Sequence, residues 1–400
     1  AVANQVERLA TSQVTNGAAV VVDPNTGDIL ALVGSHDYAD DKNGRINMAV
    51  RPRQPGSSFK PIVYAKALEE RKITASTQLD DEPVTFGTYE PKNYDNRFRG
   101  KVLMRYALAN SLNIPAVHVL NMIGVKAGID QAQEMGITTI SDATDYGLSL
   151  VLGAAEVPLI EMTNAYAVFA DQGKWHKNQI FLEVRDKNGT VILEPKEETK
   201  DVLTPSVAFI ISHILSDNEA RQDTFGGSLT ISRKAAVKTG TTNDYRDSLT
   251  IGYTPQVVVG VWIGNNDNTP MNSVAGSGGA GPIWRQIMET YLQGKPIADF
   301  QKPATVIDET VCKEDGKKLE KDEATSSAFL EYFLRGTAPT EMCSIIPTPT
   351  PTLTEEQKKQ EEDERKKREE EERQKNATAT PAPTNTPAPT ATQAPITPTP

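Results

Sequence analysis

The order of secondary-structure signals predicts an α+β domain whose sheet is assembled from both ends of the chain around a helical region. Three observations carry that prediction. Strand patterns open the chain, helix patterns fill its middle, and strand patterns return late. Ala18–Gly34 reads as a β-hairpin, with Asp23-Pro24-Asn25-Thr26-Gly27 as turn chemistry between two apolar runs. A helix is expected after Gly56, with Phe59, Ile62, Val63, Ala67 and Leu68 on one side. Pro61 is tolerable there because it falls in the first turn, where its missing N–H costs nothing. The helical region is expected to run to about Phe169. Lys234–Thr239, Ser248–Tyr253 and Val257–Gly264 then read as three consecutive strands, with Asn243-Asp244 and Thr254-Pro255 between them as turns. Gly276–Gly281 lacks the Gly-Lys-Ser/Thr of a phosphate loop and reads as a strand-to-helix connection at a cleft rim.

The ends differ from this body. Ala1–Ser12 is polar and helix-like, which fits a fragment of a longer protein, with residues 1–16 set apart from the main domain. The main domain is expected over 17–300, a small C-terminal segment over 301–346, and a tail over 347–400. In that tail, Glu355–Lys375 is nearly all charged, with acids such as Glu361 four residues before bases such as Arg365. That orientation favours a helix, yet no apolar stripe exists to bury, so a solvated rod is expected. Ala377–Pro400 has no apolar bulk and is expected to be extended and disordered.

Composition narrows the function. The chain has 400 residues, 38% hydrophobic and 24% charged, which allows a sizeable core. A net charge of −11 argues against a nucleic-acid partner, which would favour a basic face. With 2 Cys and 4 scattered His there is neither a disulfide scaffold nor a zinc spacing. The longest apolar runs, such as Val257–Ile263, have strand length rather than membrane length.

Three short motifs carry chemistry. Ser57-Ser58-Phe59-Lys60 is the only S-x-x-K in the chain; Ser111-Leu112-Asn113 and Lys238-Thr239-Gly240 follow in order. Three positions along a helix return to the same face, so Lys60 is expected to reach the hydroxyl of Ser57. Serine is a weak nucleophile and needs a base. Lysine is one only when burial and a cationic neighbour lower its pKa, and Lys238 is the expected neighbour. Ser111 would relay a proton to the leaving amine, and Asn113 would hold a substrate backbone. The free N–H of Ser57 at a helix start and that of Thr241 would receive an oxyanion. Thr239 and Thr241 would bind a terminal carboxylate, and Gly240 would leave room for a substrate strand. Neither a metal nor an organic cofactor is needed for these roles. Ser216-Asp217-Asn218 is a literal S-D-N but stands out of order, and reads as a helix end or turn.

The flanks carry a family resemblance. Arg53-Gln54-Pro55-Gly56-Ser57-Ser58-Phe59-Lys60-Pro61, Arg105–Ala116, Val237–Asp247 and Val258–Met271 resemble segments of class A, bifunctional penicillin-binding proteins. So do Gly147–Gly153 and Glu156–Gly173, and the resemblance spans about Gly17 to Cys343. It implies the serine β-lactamase/penicillin-binding-protein transpeptidase fold, an antiparallel sheet flanked by helices with a helical subdomain. It implies a D,D-transpeptidase in which Ser57 takes the acyl group of a peptidoglycan stem peptide and passes it to a neighbouring amine, and which β-lactams acylate. It further implies an extracytoplasmic setting, a membrane-anchored parent protein with a preceding glycosyltransferase domain, and cell-wall synthesis machinery as partners. Water as acceptor would make the same acyl-enzyme a D,D-carboxypeptidase or β-lactamase, and loss of turnover would leave a β-lactam sensor.

Plainer readings stand beside several residues. Arg53 is expected in a salt bridge, and Glu156 and Glu161 as structural carboxylates near a helix start rather than deacylating bases. Cys312 and Cys343 lie in the C-terminal segment, where an extracytoplasmic setting permits a disulfide. Trp262 and Trp284 are expected in the core.

Overall fold

A computed structural model describes residues 1–319 and 327–343. Strands β1 (Asn16–Val22) and β2 (Ile29–Val33) form the expected hairpin, with Val20 opposite Leu32. Its turn is closed by the Gly27 N–H on Asp23 O at 2.9 Å and by the Asn25 N–H on Asp23 Oδ1 at 2.9 Å. This is the local bonding that makes Asp and Asn turn residues. Strands β3 (Ala236–Thr241), β4 (Asp247–Thr254) and β5 (Val257–Gly264) make an antiparallel meander. β1 then pairs antiparallel with β5, from Asn16 opposite Gly264 to Val22 opposite Val258. The sheet order is β3-β4-β5-β1-β2, so the two ends of the chain do build one sheet. β3 begins two residues later than the expected Lys234 because its register is set by its partner: Ala236 lies opposite Tyr253 and Thr241 opposite Ser248.

Both faces of the sheet are covered, and period-two alternation sorts their side chains. Val257, Val259, Val261 and Ile263 cluster with Val2 and Val6 of α1 (Val2–Arg8) and with Trp284 and Met288 of α8 (Gly281–Leu292). On the opposite face Ala18, Val20 and Trp262 meet Leu159 of α6 (Leu159–Ala170). Trp262 and Trp284 are buried as expected. The N-terminal helix is shorter than Ala1–Ser12, giving way to a 3-10 turn at Ala10–Ser12.

Between the two sheet-forming segments lie α2 (Lys60–Glu69), α3 (Met104–Ala109), α4 (Asn113–Ile123), α5 (Val125–Glu134), α6 and, later, α7 (Pro205–Leu215). α2 differs from the one-sided helix expected. Ile62, Val63, Ala67 and Leu68 are buried, but so are Tyr64, Ala65 and Lys60, because other helices and the sheet surround α2. Burying Ile62, Val63 and Leu68 contributes about 2 kcal/mol each before entropy is counted. A helix apolar all round belongs in a core.

After α8 a second hairpin forms from β6 (Val306–Cys312) and β7 (Ala328–Leu334), with Val311 opposite Phe329. Cys312 and Cys343 form a disulfide at a sequence separation of 31. Ser216 caps the C-terminus of α7, so the out-of-order S-D-N is a helix end. The charged segment Glu355–Lys375 and the Ala/Thr/Pro-rich Ala377–Pro400 lie outside the described residues. Among the described residues no helix is long and apolar enough to cross a membrane.

Candidate active site

The chain reaches the site through a backbone lock. Gly56 has φ +56°, a left-handed conformation that suits glycine, and turns the chain into a 3-10 turn (Gly56–Phe59) that runs on as α2. A Cβ on Gly56 would sit 2.8 Å from Thr241 O and 2.9 Å from Thr241 N. One on Gly240 would sit 2.1 Å from Pro55 O, and one on Gly153 2.2 Å from Gly56 N. Three glycines thus let the Ser57 turn, the β3 edge and the Gly153 loop meet backbone to backbone. Ser58 is buried, its Oγ donating to Pro55 O at 2.7 Å, so its hydroxyl is committed to the turn. Ser57 is half-buried, and its hydroxyl makes no hydrogen bond among the described residues.

This lock corrects the expectation for Gly240. The room its missing side chain leaves is filled by the Pro55 carbonyl and not by a substrate. What remains open is the edge of β3. Thr242 N–H donates to Asp247 O at 3.1 Å toward β4. Strand alternation then turns the Thr241 N–H to the outer edge, beside the Ser57 turn. Thr239 is buried on β3, and Thr241 Oγ1 accepts from Gly276 N–H at 2.9 Å, which ties the Gly276–Gly281 connection to the site.

The two lysines converge on Ser111. Lys60 Nζ donates to Ser111 O at 2.6 Å, to Ser111 Oγ at 3.4 Å and to Asn113 Oδ1 at 2.7 Å. Lys238 Nζ donates to Ser111 Oγ at 2.7 Å and Thr239 O at 3.0 Å. The expected Lys60–Ser57 hydrogen bond is therefore replaced by bonds to the Ser111-x-Asn113 segment. A buried ammonium has three donors to satisfy, and three acceptors there outcompete one hydroxyl. Burial, then the charge of Lys238, holds Lys60 well below the usual lysine range, against the opposing pull of Asp81. Burial lowers Lys238 to about 7. Ser111 itself has φ +62°, a left-handed conformation that a serine adopts at a cost of about 1–3 kcal/mol and only when its surroundings hold it.

Asn113 is less free than expected. Besides accepting from Lys60, its Nδ2 donates to Lys92 O at 2.7 Å. Its backbone N–H is held by Asn93 Oδ1 at 2.8 Å, and Asn93 Nδ2 donates to the buried Asp81 at 2.6 Å. Across the cleft mouth, Tyr94 and Tyr245 hydroxyls lie 2.7 Å apart, linking the segment beside Asn93 to the turn after β3.

A profile of the "Penicillin binding protein transpeptidase domain" matches residues 17–289. The chain belongs to the penicillin-binding protein transpeptidase family. A second profile, "Penicillin-binding protein 1A, C-terminal domain", matches residues 302–347. The chain is 32% identical to penicillin-binding protein 1A of Clostridium botulinum, over 81% of this chain and 41% of that protein. It is 33% identical to penicillin-binding protein 2D of Bacillus subtilis, over 80% of this chain and 47% of that one. The chain thus spans less than half the length of these relatives. A crystal structure of penicillin-binding protein 1A from Haemophilus influenzae superposes with a TM-score of 0.72 at 26% identity, over 82% of this chain and 54% of that one. The PonA1 protein of Mycobacterium tuberculosis in complex with penicillin V gives 0.65 at 25% identity, over 75% of this chain and 86% of that one.

Glu161 accepts from the Thr138 N–H at 2.9 Å and the Thr138 hydroxyl at 2.7 Å, and Glu156 is exposed, so Glu161 is a structural carboxylate. Arg53 makes no salt bridge among the described residues. It donates to the carbonyls of Asn265 and Asn266 and lies over the Trp262 ring at 5.5 Å. Three supporting residues escaped sequence reasoning: Asp81, Asn93 and Asp247. Asp247 is buried, accepts from Trp262 Nε1 at 2.8 Å and is pushed up by that burial. Asp81 and Asn93 sit in no periodic or spaced pattern; Asp247 stood out only as the end of the Val237–Asp247 segment, and that resemblance was the one signal on offer.

Proposed function

We propose that the chain is the D,D-transpeptidase domain of a peptidoglycan-building penicillin-binding protein, with Ser57 as nucleophile. The observation that carries this reading is the pair of buried ammonium groups, Lys60 and Lys238, sharing Ser111 beside a serine whose own hydroxyl is free. Two like charges in one dry site cannot both stay protonated at little cost, and burial with the charge of Lys238 favours the neutral, basic form of Lys60. In the reading, Lys60 takes the Ser57 proton as Oγ attacks the carbonyl of the D-Ala-D-Ala bond. The N–H groups of Ser57 and Thr241 hold the oxyanion. Ser111 passes a proton to the leaving D-Ala amine, and the C–N bond breaks. The acceptor amine of a second stem peptide then attacks the ester, yields its proton along the same route, and restores Ser57. Thr239 and Thr241 hold the terminal carboxylate, Asn113 offers its remaining Nδ2 hydrogen to the peptide, and the open edge of β3 pairs with it as an added strand.

The structural neighbour PonA1, solved in complex with penicillin V, supports β-lactams as inhibitors of this site. We read the setting as extracytoplasmic, attached to the bacterial membrane through a longer parent protein and working with cell-wall synthesis machinery. The Cys312–Cys343 disulfide supports an oxidising compartment. The engagement of Glu161 with Thr138 argues against a deacylating role for that carboxylate.

Intact-protein mass spectrometry after a short incubation with a fluorescent penicillin tests this. A lasting one-to-one adduct is expected on the wild type and none on Ser57→Ala. Adduct on the variant would place the nucleophile elsewhere, and rapid loss of adduct with hydrolysed drug would move the reading to a β-lactamase.

A further inference from the structure

The out-of-order S-D-N at Ser216–Asn218 has a structural place. Arg105, in the first turn of α3, is buried and forks onto Glu331 of β7, Nε to Oε2 at 2.6 Å and Nη2 to Oε1 at 2.5 Å. Glu331 is itself fully buried, on the C-terminal hairpin. The third face of the guanidinium meets the end of α7: Nη1 donates to Asp217 Oδ2 at 3.1 Å, and Nη2 to His213 Nδ1 at 3.0 Å. Asp217 Oδ1 accepts from the Ala220 N–H at 2.9 Å, which shapes the turn after α7. That turn holds Asn110: its Nδ2 donates to Ala220 O at 2.7 Å, and its Oδ1 accepts from the Thr224 N–H at 3.1 Å. Asn110 is buried and directly precedes Ser111.

A continuous set of bonds therefore joins the C-terminal hairpin to the serine on which both lysines converge. Ser111 needs such support, because its left-handed backbone is held by its surroundings and not by its own preference. Without it, the hydroxyl that receives Lys238 and the carbonyl that receives Lys60 would both move. We propose that Glu331 is a positioning residue for Ser111, acting through Arg105, Asp217 and Asn110, so that the C-terminal hairpin completes the catalytic segment from outside it. The proposal rests on the transpeptidase reading above.

Saturation kinetics of acylation by a fluorescent penicillin on the full chain separate binding of the drug from the acylation step. Glu331→Gln and Asp217→Asn are each expected to slow the acylation rate constant about tenfold while leaving binding of the drug unchanged. The double variant is expected to be no slower than the slower single one, since both cut the same path. Melting curves accompany each variant. If Glu331→Gln, which leaves Arg105 without its charged partner in the core, is unfolded at the assay temperature, Asp217→Asn decides alone. Folded variants with an unchanged acylation rate constant, or single effects that multiply in the double variant, would overturn the proposal. A wild type that is not acylated at all, or a Ser57→Ala variant that is, would instead sink the transpeptidase reading.

Discussion

β3 and β2 are the two edge strands of one antiparallel sheet, and each leaves a row of backbone groups without a ladder partner. Along β3, Ala236 to Gly240 are buried and Thr241 is half-buried. Along β2, Leu30 is 44% exposed, Leu32 38% and Val33 39%. The difference comes from what packs outside the strand. The Ser57 turn closes on β3 so tightly that glycine is required on both sides of the contact, at Gly56 and Gly240. On its outer side β2 has the Ile29 N–H bond to Gln179 O at 2.8 Å, Leu30 to Val33 are exposed among the described residues, and a register shift falls between Val21 and Val22 of its partner. An open edge is a liability in one place. In the other, half covered, it carries the buried Lys238 and turns the Thr241 N–H toward the Ser57 turn, which is what the proposed function uses.

Breaking the tight edge should have the largest effect. Gly240→Ala puts a Cβ 2.1 Å from the Pro55 carbonyl, backbone against backbone. Overpacking of this kind costs roughly 3 kcal/mol, and displacement of the Ser57 turn should slow acylation about 100-fold. Denaturant unfolding beside acylation kinetics checks both. A variant as stable and as fast as wild type would mean that the lock does not set the site.

Lys238→Met sharpens the comparison, because it keeps the β3 edge and removes its charge. In the proposed mechanism acylation needs a neutral Lys60, and a cationic neighbour lowers the Lys60 pKa. Removing that neighbour raises the Lys60 pKa, so the acid limb of the acylation pH profile should move to higher pH. A limb that stays in place or moves to lower pH would remove Lys238 from this role. The same residue gives a stability signature. Lys238 is lowered to about 7 in the folded chain, while an exposed lysine titrates at about 10.4. Between those values the unfolded chain binds more protons, so this group makes stability rise with pH from about 7 to 10. Differential melting of wild type and Lys238→Met across that window should show a steeper slope in the wild type than in the variant, where the buried Lys60 still contributes but Lys238 no longer does.

The smallest effect belongs to the open edge. Leu32→Lys changes an exposed side chain on a strand whose outer side is bare, and should alter stability by less than about 0.5 kcal/mol. Acylation should be unchanged. A large loss in either, by melting or by penicillin labelling, would mean that the β2 edge is covered by something it needs.

The hairpin, the meander, the helix after Gly56 and the three motifs are legible in the chain before it folds. Each of these is written within a few residues: alternation, turn chemistry, or a fixed spacing of reactive groups. How those pieces serve one another depends on folding. Lys60 bonds Ser111 across 51 residues rather than Ser57 three positions away. Gly240 makes room for Pro55, α2 is buried all round, and Arg105 finds Glu331 across 226 residues. Local preference cannot choose among acceptors that only folding brings together. A buried charge goes to whichever set satisfies most of its hydrogen bonds, and that set exists only once the core has closed.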